Sequence, residues 1–382
     1  MDNFDFVLVA NSPGELSSLV KPIVERIKAR SKESRITLFL TPCQYSSGRE
    51  AGYAKTLGVN EIICPEDYRK WILGIPIKRE MNFKNRGAVL FLGGDLMHAV
   101  LIAKKLGFKA YAYLHGQKAG WKNVFSKFFV IDQKAAAGIR HKNVRAVGDL
   151  MMNSITALSK TETIKNWKLD SNKPIVAMLP GSRLWESDLL VPFYEIVAAE
   201  LKKIIPGMQI ILVLSPFTSM KDIEKKLSGN MFDLIAPLNS IPAADLAITI
   251  PGTNTAQIAA LGIPFLMIFP LNKLDSIPLE GLLHYVTKIP LAGKIIKQLA
   301  AKIICSKTRF FALPNMKARK MVAPELVGKL SAEQVVEKTL ELLGNPEALK
   351  HMGNELKKLM GESNAADIIV EEIINEAFLP AC

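Results

Sequence analysis

Short apolar runs rich in β-branched and aromatic residues alternate along this chain with stretches whose apolar residues recur every three to four positions. The first run, Phe4 to Ala10, is followed by Leu16 to Arg30, where Leu16, Leu19, Val20, Ile23, Val24 and Ile27 share one helical face. Further strands are predicted at Arg35 to Leu40, Glu61 to Cys64, Ala88 to Leu92, Lys109 to Leu114 and Phe128 to Ile131. Near-continuous apolar strands separated by helices indicate a parallel sheet covered on both faces. The pattern breaks over the polar segment Met151 to Lys173 and restarts at Ile175 to Leu179. A helix near Leu189 to Ile204 follows, then strands at Gln209 to Leu214, Leu234 to Ala236, Ala247 to Ile250 and Phe265 to Phe269, with a helix from Thr255. The expected fold is therefore α/β, with two Rossmann-like, doubly wound domains. Residues 1–150 form the first, 151–173 a linker, and 174–345 the second with a basic, apolar insertion at 271–310. Residues 346–382 add C-terminal helices, Pro346 opening one and Gly361 separating another. Ligands of such sheets bind beyond the carboxyl ends of the strands, so the working cleft is expected where the two sheets face each other.

A chain of 382 residues can bury two sizeable cores. The charge-free stretch Leu246 to Asn272 has the length of a membrane span, but Pro251, Gly252, Gly262, Pro264 and Pro270 break it, and strand, turn, helix, strand is predicted instead. The net charge is +13, and residues 1–160 carry 25 Lys and Arg against 13 Asp and Glu. A second basic excess lies in 271–330. Basic surface in two regions points to an anionic partner. Aromatic residues are few and no RNA-binding motif is present, which disfavours nucleic acid. Within the second basic region Leu291, Ile295, Ile296, Leu299 and Ile303 line one helical face with Lys294 and Lys297 on another. That pattern suits an interfacial helix on an anionic membrane surface, and equally an ordinary surface helix. Cys43, Cys64, Cys305 and Cys382 form no CxxC pair and no leader precedes the first strand, so a cytoplasmic location is expected, peripheral on the inner face of the membrane. The five histidines lack metal-ligand spacing, and no metal or other cofactor is expected.

Two turns carry the candidate chemistry. Leu179-Pro180-Gly181-Ser182-Arg183 and Pro251-Gly252-Thr253-Asn254-Thr255 each leave a strand and open a helix. Free N–H groups at such helix starts bind anions, small residues let a phosphate approach, and Arg183 adds a guanidinium fork. Either turn alone is as readily a cap. Together they read as a diphosphate clamp made by Gly181, Ser182, Arg183, Gly252, Thr253 and Thr255.

These motifs resemble those of the lipid-A-disaccharide synthases, two-domain glycosyltransferases of the GT-B type that join a UDP-linked diacylglucosamine to a lipid monosaccharide phosphate. Leu179 to Arg183 with Glu186 is similar to the family's LPGSR-x-x-E segment. The Pro251 to Thr255 turn with Gly262-Ile263-Pro264 is similar to its SGTAT region, and Leu313-Pro314-Asn315 with Pro324-Glu325-Leu326 to its third motif. The first domain departs more. Asn11 to Glu15 keeps only a Gly-Glu pair, Gly94-Asp95-Leu96 stands at the family's acidic motif, Asp149 replaces a His after Val147-Gly148, and Gln257 replaces a ribose-holding Glu.

The resemblance implies an inverting glycosyltransferase acting between a UDP-sugar donor and a glycolipid acceptor, with Gln257, Asn315 and Glu325 among the substrate-binding residues. A base for the acceptor hydroxyl is expected from the first domain, Asp95 first and Glu15 second, against the plainer reading of Asp95 as a helix N-cap and Glu15 as first-turn dipole complement. His115 and Asp149 are weaker candidates for the cleft. Two alternatives stay open: a UDP-sugar epimerase of similar build, separated by whether UDP is released to a membrane acceptor, and a catalytically silent protein that binds membrane surfaces.

Overall fold

The computed structural model describes residues 4–43, 48–77, 81–153, 158–271, 308–361 and 363–378. The chain divides into two units, Met1–Ser154 with Glu362–Cys382, and Ile155–Gly361. In the first, strands β1 (Asp5–Ala10), β2 (Arg35–Leu40), β3 (Glu61–Ile63), β4 (Gly87–Phe91), β5 (Lys109–Leu114), β6 (Phe125–Val130) and β7 (Val144–Ala146) form one sheet in the order β3-β2-β1-β4-β5-β6-β7. Every pairing is parallel. Strand order reverses direction between β1 and β4, and that switch point places the loops after these two strands side by side.

The second unit repeats the plan with β8 (Ile175–Met178), β9 (Gln209–Leu214), β10 (Leu234–Pro237), β11 (Leu246–Thr249), β12 (Phe265–Pro270) and β13 (Glu325–Gly328), ordered β10-β9-β8-β11-β12-β13 and again all parallel. Here the switch point lies between β8 and β11, the strands that lead into the two predicted turns. The 21-residue helix Leu184–Ile204 covers one face. Leu190, Val191, Tyr194, Val197, Ala198 and Leu201 are buried there in one cluster with Val176, Met178, Ile210, Leu212 and Ile248. Burying side chains of this size contributes about 1.5–3 kcal/mol each before chain entropy is counted.

The charge-free stretch is strand β11, a turn, the helix Thr253–Ala260 and strand β12. No helix among the described residues is long and apolar enough to cross a membrane. Part of the segment expected as linker is helical, Lys160–Trp167, opened by a reciprocal cap between Ser159 and Glu162. The C-terminal helices part company. Pro346–Met360 lies in the second unit, whereas Ala365–Phe378 packs in the first, burying Ile369, Val370 and Ile373. Its polar side is tied there by Asp367 to Arg26 at 2.7 Å, Glu372 to Lys127 at 2.8 Å and Glu376 to the Tyr111 hydroxyl at 2.9 Å. The amphipathic segment at 291–304, with Lys294 and Lys297, lies outside the described residues.

Candidate functional site

In the second unit the two turns differ in what their amides do. At Gly181 φ is +97°, and a Cβ there would stand 2.2 Å from Glu186 Oε2 and 2.8 Å from Ile250 Cδ1, so only glycine lets the loops after β8 and β11 close up. Glu186 lies one helical turn further on and is buried. Its Oε2 accepts hydrogen bonds from the backbone N–H of Ser182 at 2.8 Å and of Arg183 at 2.9 Å, and its Oε1 lies 3.3 Å from Arg183 Nη1. Burial pushes this carboxyl above the usual range, opposed by Arg183 and the two N–H groups. The amides expected to grip phosphate at the first turn therefore already hold the chain's own carboxylate. What the first turn offers outward is the half-exposed guanidinium of Arg183.

The second turn is open. Gly252, at φ +141°, is the N-cap of Thr253–Ala260, no side chain caps this helix, and the space where a Cβ would stand is clear. Uncapped first-turn amides with the positive end of a helix behind them suit an anion. Buried Thr255 is a brace: its hydroxyl donates to the Gly252 carbonyl at 2.8 Å and accepts from the Leu313 N–H at 3.1 Å. Gln257 is buried two residues on.

Asn315 and Glu325 come together as the third motif's spacing implies, and they hold each other. Asn315 Nδ2 donates to the Ala323 carbonyl and to Glu325 Oε1, at 2.7 and 2.8 Å, while Oδ1 accepts from the N–H groups of Val322 and Ala323, at 2.8 and 3.0 Å. An amide side chain has two donor and two acceptor positions, so Asn315 is saturated within its own unit. Glu325 accepts further from the N–H groups of Phe311 and Ala312, each at 2.9 Å. The geometry makes the pair a brace for the Leu313–Ala318 helix.

At the first unit's switch point half-buried Glu15 lies between the loops after β1 and β4. Its carboxylate accepts from the N–H groups of Asn11 at 3.0 Å, Ser12 at 3.1 Å and Gly94 at 3.0 Å. Burial raises its pKa against those three bonds. Asp95 is exposed and is the N-cap of Leu96–Leu106, its Oδ1 accepting from the Met97 N–H at 2.8 Å. Beside it, His98 Nδ1 lies 2.7 Å from the Tyr68 hydroxyl. Burial lowers the His98 pKa and raises that of Tyr68 to about 12, the Asp95 charge adding to the latter. Sequence reading missed this pair, because 30 residues separate the two side chains and only the packing of their helices joins them.

His115 follows β5 and Asp149 follows β7. Asp149 Oδ2 lies 3.5 Å from His115 Nε2, and Oδ1 accepts from the Met151 N–H at 3.0 Å. A cavity of about 790 Å³ lies at the other, amino-terminal edge of the sheet, lined by Arg86, Gly87, Lys109, Lys142 and Glu376 and away from every residue named from the motifs. Among the described residues no group of three or more His, Cys, Asp or Glu gathers as a metal site.

Residues 140–292 match the family model described as lipid-A-disaccharide synthetase. Two curated relatives are the lipid-A-disaccharide synthases of Syntrophus aciditrophicus, 27% identical over 277 residues, and of Coxiella burnetii, 28% identical over 260. These alignments cover 67% and 62% of this chain. The chain spans about two thirds of the length of the curated relatives it matches, 66% and 67% here. Among solved structures, the UDP-GlcNAc 2-epimerase of Neisseria meningitidis bound to UDP-GlcNAc superposes with TM-score 0.56 at 13% identity, covering 97% of this chain and 100% of that one. A putative UDP-N-acetylglucosamine 2-epimerase from Listeria monocytogenes gives 0.57 at 12%, covering 97% and 96%. At such identity the likeness is one of fold, and it agrees with the GT-B-type α/β architecture expected from the sequence. Over residues 140–292 and across its three motifs the chain is similar to the lipid-A-disaccharide synthases, the resemblance its sequence indicated.

Proposed function

We propose that this chain is a glycosyltransferase of lipid A-type synthesis, moving a glucosamine-type sugar from UDP to a lipid-linked monosaccharide with inversion, at the inner face of the cytoplasmic membrane. The observation that carries the reading is the uncapped turn at Gly252 and Thr253 together with the half-exposed Arg183 guanidinium, on the loops at the carboxyl ends of adjacent strands β8 and β11. As the bond from the sugar to the diphosphate breaks, negative charge grows on the leaving oxygen. Fixed N–H donors, a helix dipole and a planar cation meet that charge without rearranging. Glu186 holds the Arg183 loop in place. Thr255, Asn315 and Glu325 keep the second turn and its neighbouring helix aligned, which makes them positioning residues for the donor.

On the acceptor side the proton of the attacking hydroxyl must leave. Of the two carboxylates named from the sequence, Asp95 is the one an acceptor can reach, since Glu15 latches two loops together. The reading is tested by titrating UDP into the purified chain and by assaying release of UDP from UDP-diacylglucosamine with a glycolipid phosphate acceptor. Binding and acceptor-dependent release are expected. Absence of heat and of any thermal upshift with a folded chain overturns it.

A lipid acceptor requires contact with a bilayer, and the first unit carries a suitable face. Leu73 is 73% exposed and Ile75 48%. Both follow the helix Pro65–Ile72, which packs against Leu96–Leu106 with its exposed Met97 and Leu101. Arg69, Lys70, Lys104 and Lys105 flank these residues in sequence. Apolar side chains ringed by cations bind anionic lipid, each cation contributing about 1 kcal/mol at low salt. Replacing Leu73 and Ile75 by serine is expected to lower co-sedimentation with phosphatidylglycerol vesicles several-fold, and raising the salt is expected to weaken the unaltered chain's binding. Unchanged sedimentation of the double variant places the contact elsewhere.

A further inference from the structure

We propose that His115, oriented by Asp149, takes the proton of the attacking acceptor hydroxyl. The proposal rests on the glycosyltransferase reading and names a group for which that reading had only a carboxylate. Asp149 is 92% buried by its 8% exposure, and it is anchored through Oδ1 by the Met151 N–H. Its loop is fixed from a second side: the Tyr113 hydroxyl donates to the Gly148 carbonyl at 3.2 Å and accepts from the Leu150 N–H at 3.0 Å. The remaining oxygen faces His115 Nε2 at 3.5 Å, the loose end of hydrogen-bond reach and ordinary for a site without its substrate.

An ionised carboxylate only accepts, so His115 Nε2 carries the hydrogen and Nδ1 is left with its lone pair. Among the described residues Nδ1 has no hydrogen-bond partner, and the ring side chain is 25% exposed, so a hydroxyl can reach it. Among the described residues Asp149 is the charged group paired with the ring, and the Tyr113 ring lies 6.4 Å away. His115 directly follows the carboxyl end of β5, next in the sheet to the strand that leads to Asp95. A base held by a second, buried group is the arrangement that proton abstraction needs. Asp95, by contrast, lies in water with one oxygen committed to its helix.

In the step itself the acceptor oxygen forms a bond to the anomeric carbon while the bond from that carbon to the diphosphate oxygen breaks. The bonding pair leaves with UDP. The hydroxyl proton passes to Nδ1, and the imidazolium so formed keeps its Nε2–H toward Asp149.

The test compares His115→Gln, Asp149→Asn and Asp95→Asn with the unaltered chain in turnover against pH, alongside UDP calorimetry and ring nitrogen NMR. His115→Gln is expected to lower kcat by about 10²- to 10⁴-fold, to remove the acid limb that an imidazole base gives, and to leave UDP affinity unchanged. Asp149→Asn is expected to lower kcat and scramble the Nε2–H tautomer, with Asp149→Glu restoring part of both. Asp95→Asn is expected to keep the acid limb. Loss of turnover and of the acid limb in Asp95→Asn but not in His115→Gln overturns the proposal. So does a ring without a preferred tautomer in the unaltered chain, a result that stands whether or not sugar transfer is observed. Failure to bind UDP, with the tautomer present, instead counts against the donor site.

Discussion

Replacing Arg183 by alanine raises the dissociation constant for UDP by about 10- to 100-fold, the loss of ~1.5–3 kcal/mol expected for charge-assisted hydrogen bonds to an anion. The melting temperature moves little, because the guanidinium is 40% exposed and Glu186 keeps its two backbone donors. Arg183→Lys recovers only part of the affinity, since an ammonium supplies charge without the fork. Calorimetry on the folded variants decides the matter. Equal affinity in all three forms means that the diphosphate is not held beside β8. The prediction is specific to the guanidinium because the amides of its own loop are occupied by Glu186, and the remaining donors belong to the Gly252 turn.

Gly93→Ala is expected to lower the melting temperature by about 3–10 °C, equivalent to ~1–3 kcal/mol of overpacking. A Cβ at Gly93 would stand 1.9 Å from Glu15 Cδ and within 2.3 Å of both carboxylate oxygens. That carboxylate cannot swing aside cheaply, because the N–H groups of Asn11, Ser12 and Gly94 hold it. In a Glu15→Ala background the obstruction is gone, so the second substitution costs little and the two effects fail to add. Thermal melts of the single and double variants measure this. Additive losses show that Gly93 and Glu15 do not share the space between the two loops.

The sheets were legible in the sequence because strands buried on both faces read as unbroken apolar runs. Arg35–Leu40, Lys109–Leu114 and Gln209–Leu214 match the expected strands residue for residue. β13, Glu325–Gly328, was hidden: it is four residues long, half-buried and preceded by Pro324, and its first residue had been assigned to ligand contact by motif spacing. The two turns were found correctly as strand-to-helix junctions, yet the occupant of the first was not. Glu186 was visible as part of the motif, and Arg183 followed three residues later by Glu has the spacing of a capping box, which identifies the helix start but not whether its amides remain available. Asn315 and Glu325 show the same limit. Spacing brought the residues forward, and only the structure reveals that Asn315 spends its hydrogen bonds on Glu325 and on the backbone of Val322 and Ala323. His115 and Asp149 stand 34 positions apart. Their meeting depends on the order β5-β6-β7, which no local pattern encodes.

The return of the Ala365–Phe378 helix to the first unit bears on how the protein is made. On a ribosome adding roughly 5–20 residues each second, the described strands and helices of the second unit are complete before the first obtains the segment that carries Ile369, Val370 and Ile373 and pairs with Arg26, Lys127 and Tyr111. For that interval the nascent first unit presents an apolar groove and uncompensated cations, a state open to chaperone capture. Nonsense mutations near position 360 therefore damage the amino-terminal half of the molecule.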